Sequence, residues 1–236
     1  AMNTALLDDP REAAYVLDSL KAPALDRCGQ DFTFFLRFVM TRDEADAESV
    51  KPFPRYPYLL ELAAEVEAHQ QIVIVKSRQL MISWFFCAYA VWFARFHRHK
   101  YVVWQAQKAE DSAKMVCLPG GERTGGYTAR MQFIERTLPS WLTQPIAESD
   151  GRLSYRNGSM IEAIAGGAHQ VRGKTPSLII EDEFAFQPEA AGVYQALAPL
   201  IQKTTKFIAC STPNGPTGCF SELYHGRQLL PVLGAA

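Results

Sequence analysis

The chain has 236 residues, a formal net charge of -1, and 48% hydrophobic and 21% charged residues. These proportions exclude disordered and fibrous classes, and the length suits one α/β domain with a full core or a core plus a small appendage. Near-neutral charge also excludes a global basic field, so any contact with DNA has to be local or shared between subunits.

The five cysteines, Cys28, Cys87, Cys117, Cys210 and Cys219, are scattered and include no Cys-x-x-Cys pair. They read as reduced thiols of a cytosolic protein rather than as disulfides or zinc ligands. The longest apolar run, residues 83–96, is too short to span a bilayer and is broken by Arg95. The first residues lack a basic-then-apolar pattern, so a signal peptide is not expected.

Residues 11–20 and 31–40 have helical apolar spacing, and residues 41–58 read as a charged, then proline-rich connector. Residues 1–50 are therefore expected to form a small N-terminal helical or lid subdomain and residues 51–236 the core. Pro57 is expected to start a helix that runs to about His69. Gln71-Ile72-Val73-Ile74-Val75 then has the β-branched apolar run of a strand buried on both faces of a parallel sheet.

A polar turn at 76–82, an apolar helix at 83–97, a strand at 100–105 and a helix at 108–117 continue the alternation of a βαβ chain. A glycine-rich loop at 119–126 leads to a helix at 128–138, which Pro139 closes. Strands at 152–156 and 159–164 flank Asn157-Gly158, a strong hairpin signal. Buried strands are expected at 177–181 and 206–211, with a helix near 188–201 between them.

Three sites carry chemistry. The strand at 71–75 is followed by Lys76-Ser77-Arg78-Gln79-Leu80-Met81-Ile82-Ser83. Against the phosphate-loop pattern G-x-x-x-x-G-K-[ST] only Ser83 survives, because Lys76 and Met81 replace the glycines and Ile82 the lysine. The chemistry remains, with a cation from Lys76 at the other end of the loop and a hydroxyl from Ser83, which would also N-cap the apolar helix. Second, Ser177-Leu178-Ile179-Ile180 runs into Glu181-Asp182-Glu183, the form of a Walker B strand with carboxylates at its carboxyl edge. Asp182 would hold the Mg²⁺ water shell and Glu183 polarise the attacking water, while Glu181 has no assigned role. Third, Phe207-Ile208-Ala209-Cys210 ends in Ser211-Thr212-Pro213-Asn214-Gly215, where Ser211, Thr212 and Asn214 are placed to sense a γ-phosphate and couple its loss to movement. The same run is also ordinary turn chemistry.

Together with Val171-Arg172-Gly173-Lys174, these segments resemble the N-terminal ATPase domain of the large terminase subunit of tailed bacteriophages, over roughly residues 52–224. The resemblance implies an additional-strand P-loop NTPase, with a mainly parallel central sheet and helices on both faces. It implies hydrolysis of ATP with Mg²⁺ to drive double-stranded DNA into a procapsid, working as a ring with portal and small terminase subunit in the cytoplasm of an infected bacterial host, and a monomer in isolation. Lys76, Ser77, Gln79 and Ser83 would bind nucleotide, Ser83 and Asp182 the metal, and Arg78 and Glu183 would be catalytic.

Tyr56, in the cluster Phe53, Tyr56, Tyr58, offers a flat face to an adenine ring or staples two subdomains. Arg123, Arg130 and Arg136 are candidates for an arginine acting in trans. Family members usually carry glycine where this chain has Met81, which bears on catalytic competence. The C-terminal nuclease domain of full-length members has no counterpart before Ala236, so nuclease activity is not expected. Two other readings compete: a docking module that binds nucleotide weakly or not at all, motivated by Met81 and Ile82, and a helicase-like translocase with the same sheet.

Overall fold

The computed structural model describes residues 10–43, 49–118 and 128–226, with side chains from residue 20 onward. Helix α1 (Pro10–Gln30) runs ten residues past the expected end. The helix expected over 31–40 is instead broken up. Asp31 caps a single turn, α2 (Phe32–Phe35), by accepting from Phe34 N at 2.9 Å, a 3₁₀ turn follows at Leu36–Phe38, and Met40 enters a strand. A short polar side chain that bonds locally starts a new helix better than it continues one. The segment read as a connector forms a two-stranded ribbon, β1 (Met40–Arg42) and β2 (Val50–Pro52), paired antiparallel.

From Pro57 to Thr137 the chain follows the expected alternation: α3 (Pro57–Ala68), β3 (Gln71–Val75), α4 (Ile82–Phe96), β4 (Tyr101–Ala106), α5 (Ala109–Val116) and α6 (Arg130–Thr137). Next come β5 (Ile146–Ser149), β6 (Arg152–Tyr155), β7 (Met160–Ala165), α7 (Ala168–Val171), β8 (Leu178–Asp182), α8 (Ala190–Ile201), β9 (Lys206–Ser211) and α9 (Cys219–His225). Of these, β5, α7 and α9 are additions to the expected alternation. The glycine-rich loop at 119–126 and Arg123 lie outside the described residues.

Seven strands form one sheet in the order β3-β9-β8-β4-β7-β6-β5. The first five run parallel, and β6 and β5 add antiparallel strands at one edge. This is an α/β fold with a mainly parallel sheet and helices on both faces, as expected from strands that are apolar on both sides. β9, late in sequence, lies between β3 and β8.

Alternation along the strands assigns each face. Ile72, Ile74, Val102, Trp104, Leu178, Ile180, Ile208 and Cys210 join the core under α3, α4 and α6. Val73, Val103, Ile179, Phe207 and Ala209 join the core under α7, α8 and α9. The N-terminal segment shares the first of these cores: Phe32 packs edge-on against Phe85 and Tyr89, with centroids 5.3 and 5.1 Å apart, and Trp92 Nε1 donates to Cys28 O at 2.7 Å.

The hairpin at Asn157-Gly158 is present and has a second use. Asn157 Nδ2 donates to Ala94 O and Arg95 O at 2.9 Å, satisfying carbonyls left open at the end of α4. Gly158 has φ +83°, and a Cβ there would sit 2.5 Å from His99 Nδ1, so the turn requires glycine.

A buried ion pair ties α6 to α4. Arg95 Nη2 contacts Glu135 Oε2, Tyr155 donates to Glu135 Oε1 at 2.8 Å, and Arg95 Nη1 donates to Leu142 O at 2.6 Å. Glu135→Ala strands the Arg95 charge in the core and is expected to cost about 3 kcal/mol in urea unfolding. The pair replacement Arg95→Met with Glu135→Leu is expected to recover most of that loss, and a double variant as unstable as the single one contradicts this account. Among the described residues no helix is long and apolar enough to cross a membrane.

Candidate functional site

Strands β3, β9 and β8 are adjacent and parallel, so Val75, Ser211 and Asp182 end at one edge of the sheet. Lys76 N extends the ladder by donating to Ser211 O at 3.0 Å. By alternation Lys76 then falls on the α4 face, as do Asp182 and Cys210. Its side chain lies under the loop that precedes α4, 9% exposed.

Lys76 Nζ lies 3.1 Å from Asp182 Oδ1, 3.1 Å from Glu183 Oε1 and 3.2 Å from Ser83 Oγ. Ser83 from the first turn of α4 and Asp182 and Glu183 from the end of β8 thus converge on the Lys76 cation. Burial works against the lysine charge, but the surrounding Cys210, Asp182 and Glu183 outweigh it and hold Lys76 above its ordinary range. Burial pushes the Cys210 thiol well up, so near neutral pH the carboxylates supply this field. Burial opposes ionisation of Glu183 as well, yet Lys76, with Thr212 and Ser211, lowers it below the ordinary carboxylate range. The ammonium stands where oxygen donors from Ser83 and Asp182 meet. A hydroxyl and a carboxylate facing one point are a suitable donor set for a hard divalent cation.

Ser83 is not the N-cap of α4. The helix starts one residue earlier, with Met81 as the cap residue and no side-chain cap bond, and the Ser83 hydroxyl is turned to Lys76 instead. Met81 has φ +58°. That conformation costs a residue with a Cβ about 1–2 kcal/mol and costs glycine almost nothing, which explains why glycine suits this position. Gln79, also left-handed at φ +65°, completes the loop.

The three acids do not act together. Asp182 is buried on the α4 face. Glu183 leaves the strand in a left-handed conformation, φ +50°, and its Oε2 lies 3.2 Å from Thr212 N and 3.3 Å from both Thr212 Oγ1 and Ser211 Oγ. Glu181 points to the opposite face, fully buried, and accepts from Gln187 Nε2 at 2.9 Å. The same Gln187 nitrogen reaches Gln105 O and Asp182 O at 3.3 and 3.2 Å. Burial raises the Glu181 carboxyl to about 8, only partly offset by Gln187. Glu181 is therefore a neutral brace behind the strand end.

Ser211 and Asn214 hold the turn that follows the acids. Ser211 Oγ accepts from Ala185 N at 3.2 Å and Asn214 Nδ2 donates to Ala185 O at 3.1 Å. The third motif is therefore bonded both to the Glu183 carboxylate and to the backbone just after it.

A cavity of about 660 Å³ opens over this edge, lined by residues 76–84, Tyr56, Glu183, Thr41, Arg42, Asp43, Pro54 and Arg130. Ser77, Arg78 and Gln79 are exposed on its rim. Tyr56, half exposed, stacks on Tyr58 with centroids 5.6 Å apart, and Tyr58 donates to Leu80 O at 3.1 Å, fixing the ring pair to the loop. Asp182 lies behind Lys76, and Ser211, Thr212 and Asn214 lie behind Glu183. Arg136 is tied to Glu148, Nη2 to Oε2 at 2.6 Å, away from the cavity. Sequence reasoning missed Arg42, which sits in the segment read as a connector, and Cys210, whose Sγ is 3.4 Å from Asp182 Oδ1.

No protein-family model matches the sequence. In fold the chain is similar to bacteriophage large terminases. The likeness to the HK97 large terminase has a TM-score of 0.56 at 13% identity, over 78% of this chain and 37% of that one. For the Thermus phage P74-26 large terminase ATPase domain the TM-score is 0.53 at 17% identity, over 76% and 73%. For the large terminase of a thermophilic bacteriophage, solved in complex with ATP-gamma-S, it is 0.50 at 18% identity, over 69% and 39%. The chain thus spans under half of two of these proteins. At such identities the shared property is an α/β, P-loop-like architecture.

Proposed function

We propose that this chain is the ATPase motor domain of a viral DNA-packaging terminase, an additional-strand P-loop NTPase in which β9 is the strand inserted between the phosphate-loop strand and the acid strand. The observation that carries the reading is the convergence of Ser83, Asp182 and Glu183 on Lys76 at one sheet edge. An anionic ligand entering the cavity would draw Lys76 onto its phosphates, freeing Ser83 and Asp182 to hold Mg²⁺. Mg²⁺ would neutralise charge developing on the phosphate oxygens.

Backbone N–H groups of the 76–81 loop and Arg78 would cradle the phosphates, and Tyr56 would take the base. Glu183 would orient a water and accept its proton as oxygen attacks the γ-phosphorus and the bond to the β-phosphate oxygen breaks. Bonded to both Glu183 and the following turn, Ser211, Thr212 and Asn214 would pass loss of phosphate on to the segment at 184–187. The substrate moved would be double-stranded DNA. The partners would be portal and small terminase subunit, with a ring assembled on the procapsid in the host cytoplasm from chains monomeric in isolation.

A second reading, a docking module with little nucleotide affinity, draws on the strained Met81 at the mouth of the loop. Calorimetry with ATP and Mg²⁺ separates the two: saturable binding supports the motor, and no binding at millimolar ATP supports the module.

A further inference from the structure

The segment that follows β8 is held against its own backbone preference. Glu183 and Glu189 both lie in the left-handed region, at φ +50° and +56°, and a 3₁₀ turn at Phe184–Phe186 fills the space between them. Residues with a Cβ keep that conformation only where the surroundings over-determine it. Glu183 needs it. With strand dihedrals it would follow the two-residue period and face away from Asp182, whereas the left-handed turn lets both neighbours reach Lys76.

Local bonds close the turn. Glu183 N donates to Asp182 Oδ1 at 3.1 Å, Phe186 N to Glu183 O at 2.9 Å and Gln187 N to Phe184 O at 3.2 Å. Phe184, fully buried, packs edge-on against Phe207 with centroids 5.9 Å apart. The far end is pinned by the buried side chain of Gln187, whose one amide nitrogen lies 3.2 Å from Asp182 O, 2.9 Å from Glu181 Oε2 and 3.3 Å from Gln105 O. Three oxygens around that nitrogen fix which way the amide is turned. Gln105 lies opposite Glu181 on the neighbouring strand β4, and its own amide donates to Ala165 O at the end of β7, at 2.6 Å. Gln187 thus ties the end of the turn back to Asp182 and to the sheet behind it, with Glu183 inside the closed loop.

We propose that Gln187 is a positioning residue for hydrolysis: by bonding to Asp182 O, Glu181 Oε2 and Gln105 O it holds Glu183 in the left-handed conformation that brings its carboxylate beside Lys76. This rests on reading the cavity as the ATP site and Glu183 as the base. Gln187 does not line the cavity, so it acts through Glu183, on turnover and not on nucleotide binding.

The test is steady-state ATP hydrolysis by the purified chain with Mg²⁺, read as kcat, with Mg²⁺·ATP affinity measured separately by calorimetry. Gln187→Met keeps the length and bulk of the side chain and removes the donor. It is expected to lower kcat about tenfold to a hundredfold, as displacement of a catalytic group does, with affinity within a few-fold of the parent. Gln187→Asn draws the amide back by one methylene and is expected to fall between the two. Thr205→Val removes a buried bond to Pro176 O, 2.7 Å long, at the opposite edge of the sheet, and is expected to hydrolyse as the parent does per folded molecule. Thermal melts give the folded fraction of each variant, and Gln187→Asn stands in should Gln187→Met unfold. Parent-like kcat in both Gln187 variants overturns the assignment. A loss of turnover shared by Thr205→Val, or matched by an equal loss of affinity, overturns it as well. A parent chain that hydrolyses no ATP overturns the catalytic reading and this inference with it, a result distinct from an active parent indifferent to Gln187.

Discussion

Glu183→Gln is expected to lower steady-state ATP turnover by about 10²–10⁴ while leaving Mg²⁺·ATP affinity within a few-fold of the parent. The change keeps the shape and the hydrogen-bonding reach toward Thr212 and Ser211 but removes the basic oxygen. Lys76 keeps Asp182 as a partner at 3.1 Å, so the buried cation is not orphaned and the fold is expected to tolerate the change. A split in which turnover falls and affinity does not is the signature of a group that acts in the transition state. Undiminished hydrolysis by the variant removes Glu183 from the mechanism.

The second large effect concerns Glu181 and stability rather than catalysis. Its carboxyl is raised to about 8 in the fold by burial, against an ordinary value near 4.3 in an unfolded chain. Below that lower value both states are protonated and the residue costs nothing. As pH rises through the window from about 4.3 to 8 the unfolded chain loses the proton and the folded one keeps it, so stability falls. Above about 8 the full cost is present. Glu181→Gln keeps an uncharged side chain of the same shape beside Gln187 and removes this dependence. Its gain over the parent should be near zero at pH 4, rise across the window and level off above pH 8, at a ceiling of about 5 kcal/mol. Urea unfolding of both proteins in metal-free buffer measures it. A gain that does not change with pH contradicts the buried, neutral carboxyl.

Glu181 also shows where a linear reading of the sequence stops. Its hydrophobic neighbours Leu178, Ile179 and Ile180 mark a buried strand whatever the fold, which is why β3, β4, β8 and β9 are legible. Three adjacent acids look alike in sequence, but the two-residue period of a strand separates them: Asp182 faces Lys76 and α4, and Glu181 faces Gln187. The order β3-β9-β8, which brings Ser211 and Thr212 to Glu183, is implied by a resemblance and not by any pattern of residues.

The Asn157-Gly158 turn is legible because backbone sterics alone demand it. Its docking on the end of α4 is not. The ribbon β1-β2 and strand β5 leave no signal because they are three or four residues long, so they carry too few apolar positions to show a period. Met81 stands out of pattern in the sequence, but its left-handed backbone, the reason that glycine fits there, is a property of the loop's path.

The cluster around Lys76 is the centre of the account, and one titration tests it most directly. Calorimetry of the parent chain and of Lys76→Ala with Mg²⁺·ATP should show saturable binding by the parent and a loss of at least about a hundredfold in the variant, since the lysine proposed to bind the phosphates is also the group on which Ser83, Asp182 and Glu183 converge. Equal binding by the two proteins would contradict the site, and no binding by either would contradict the function.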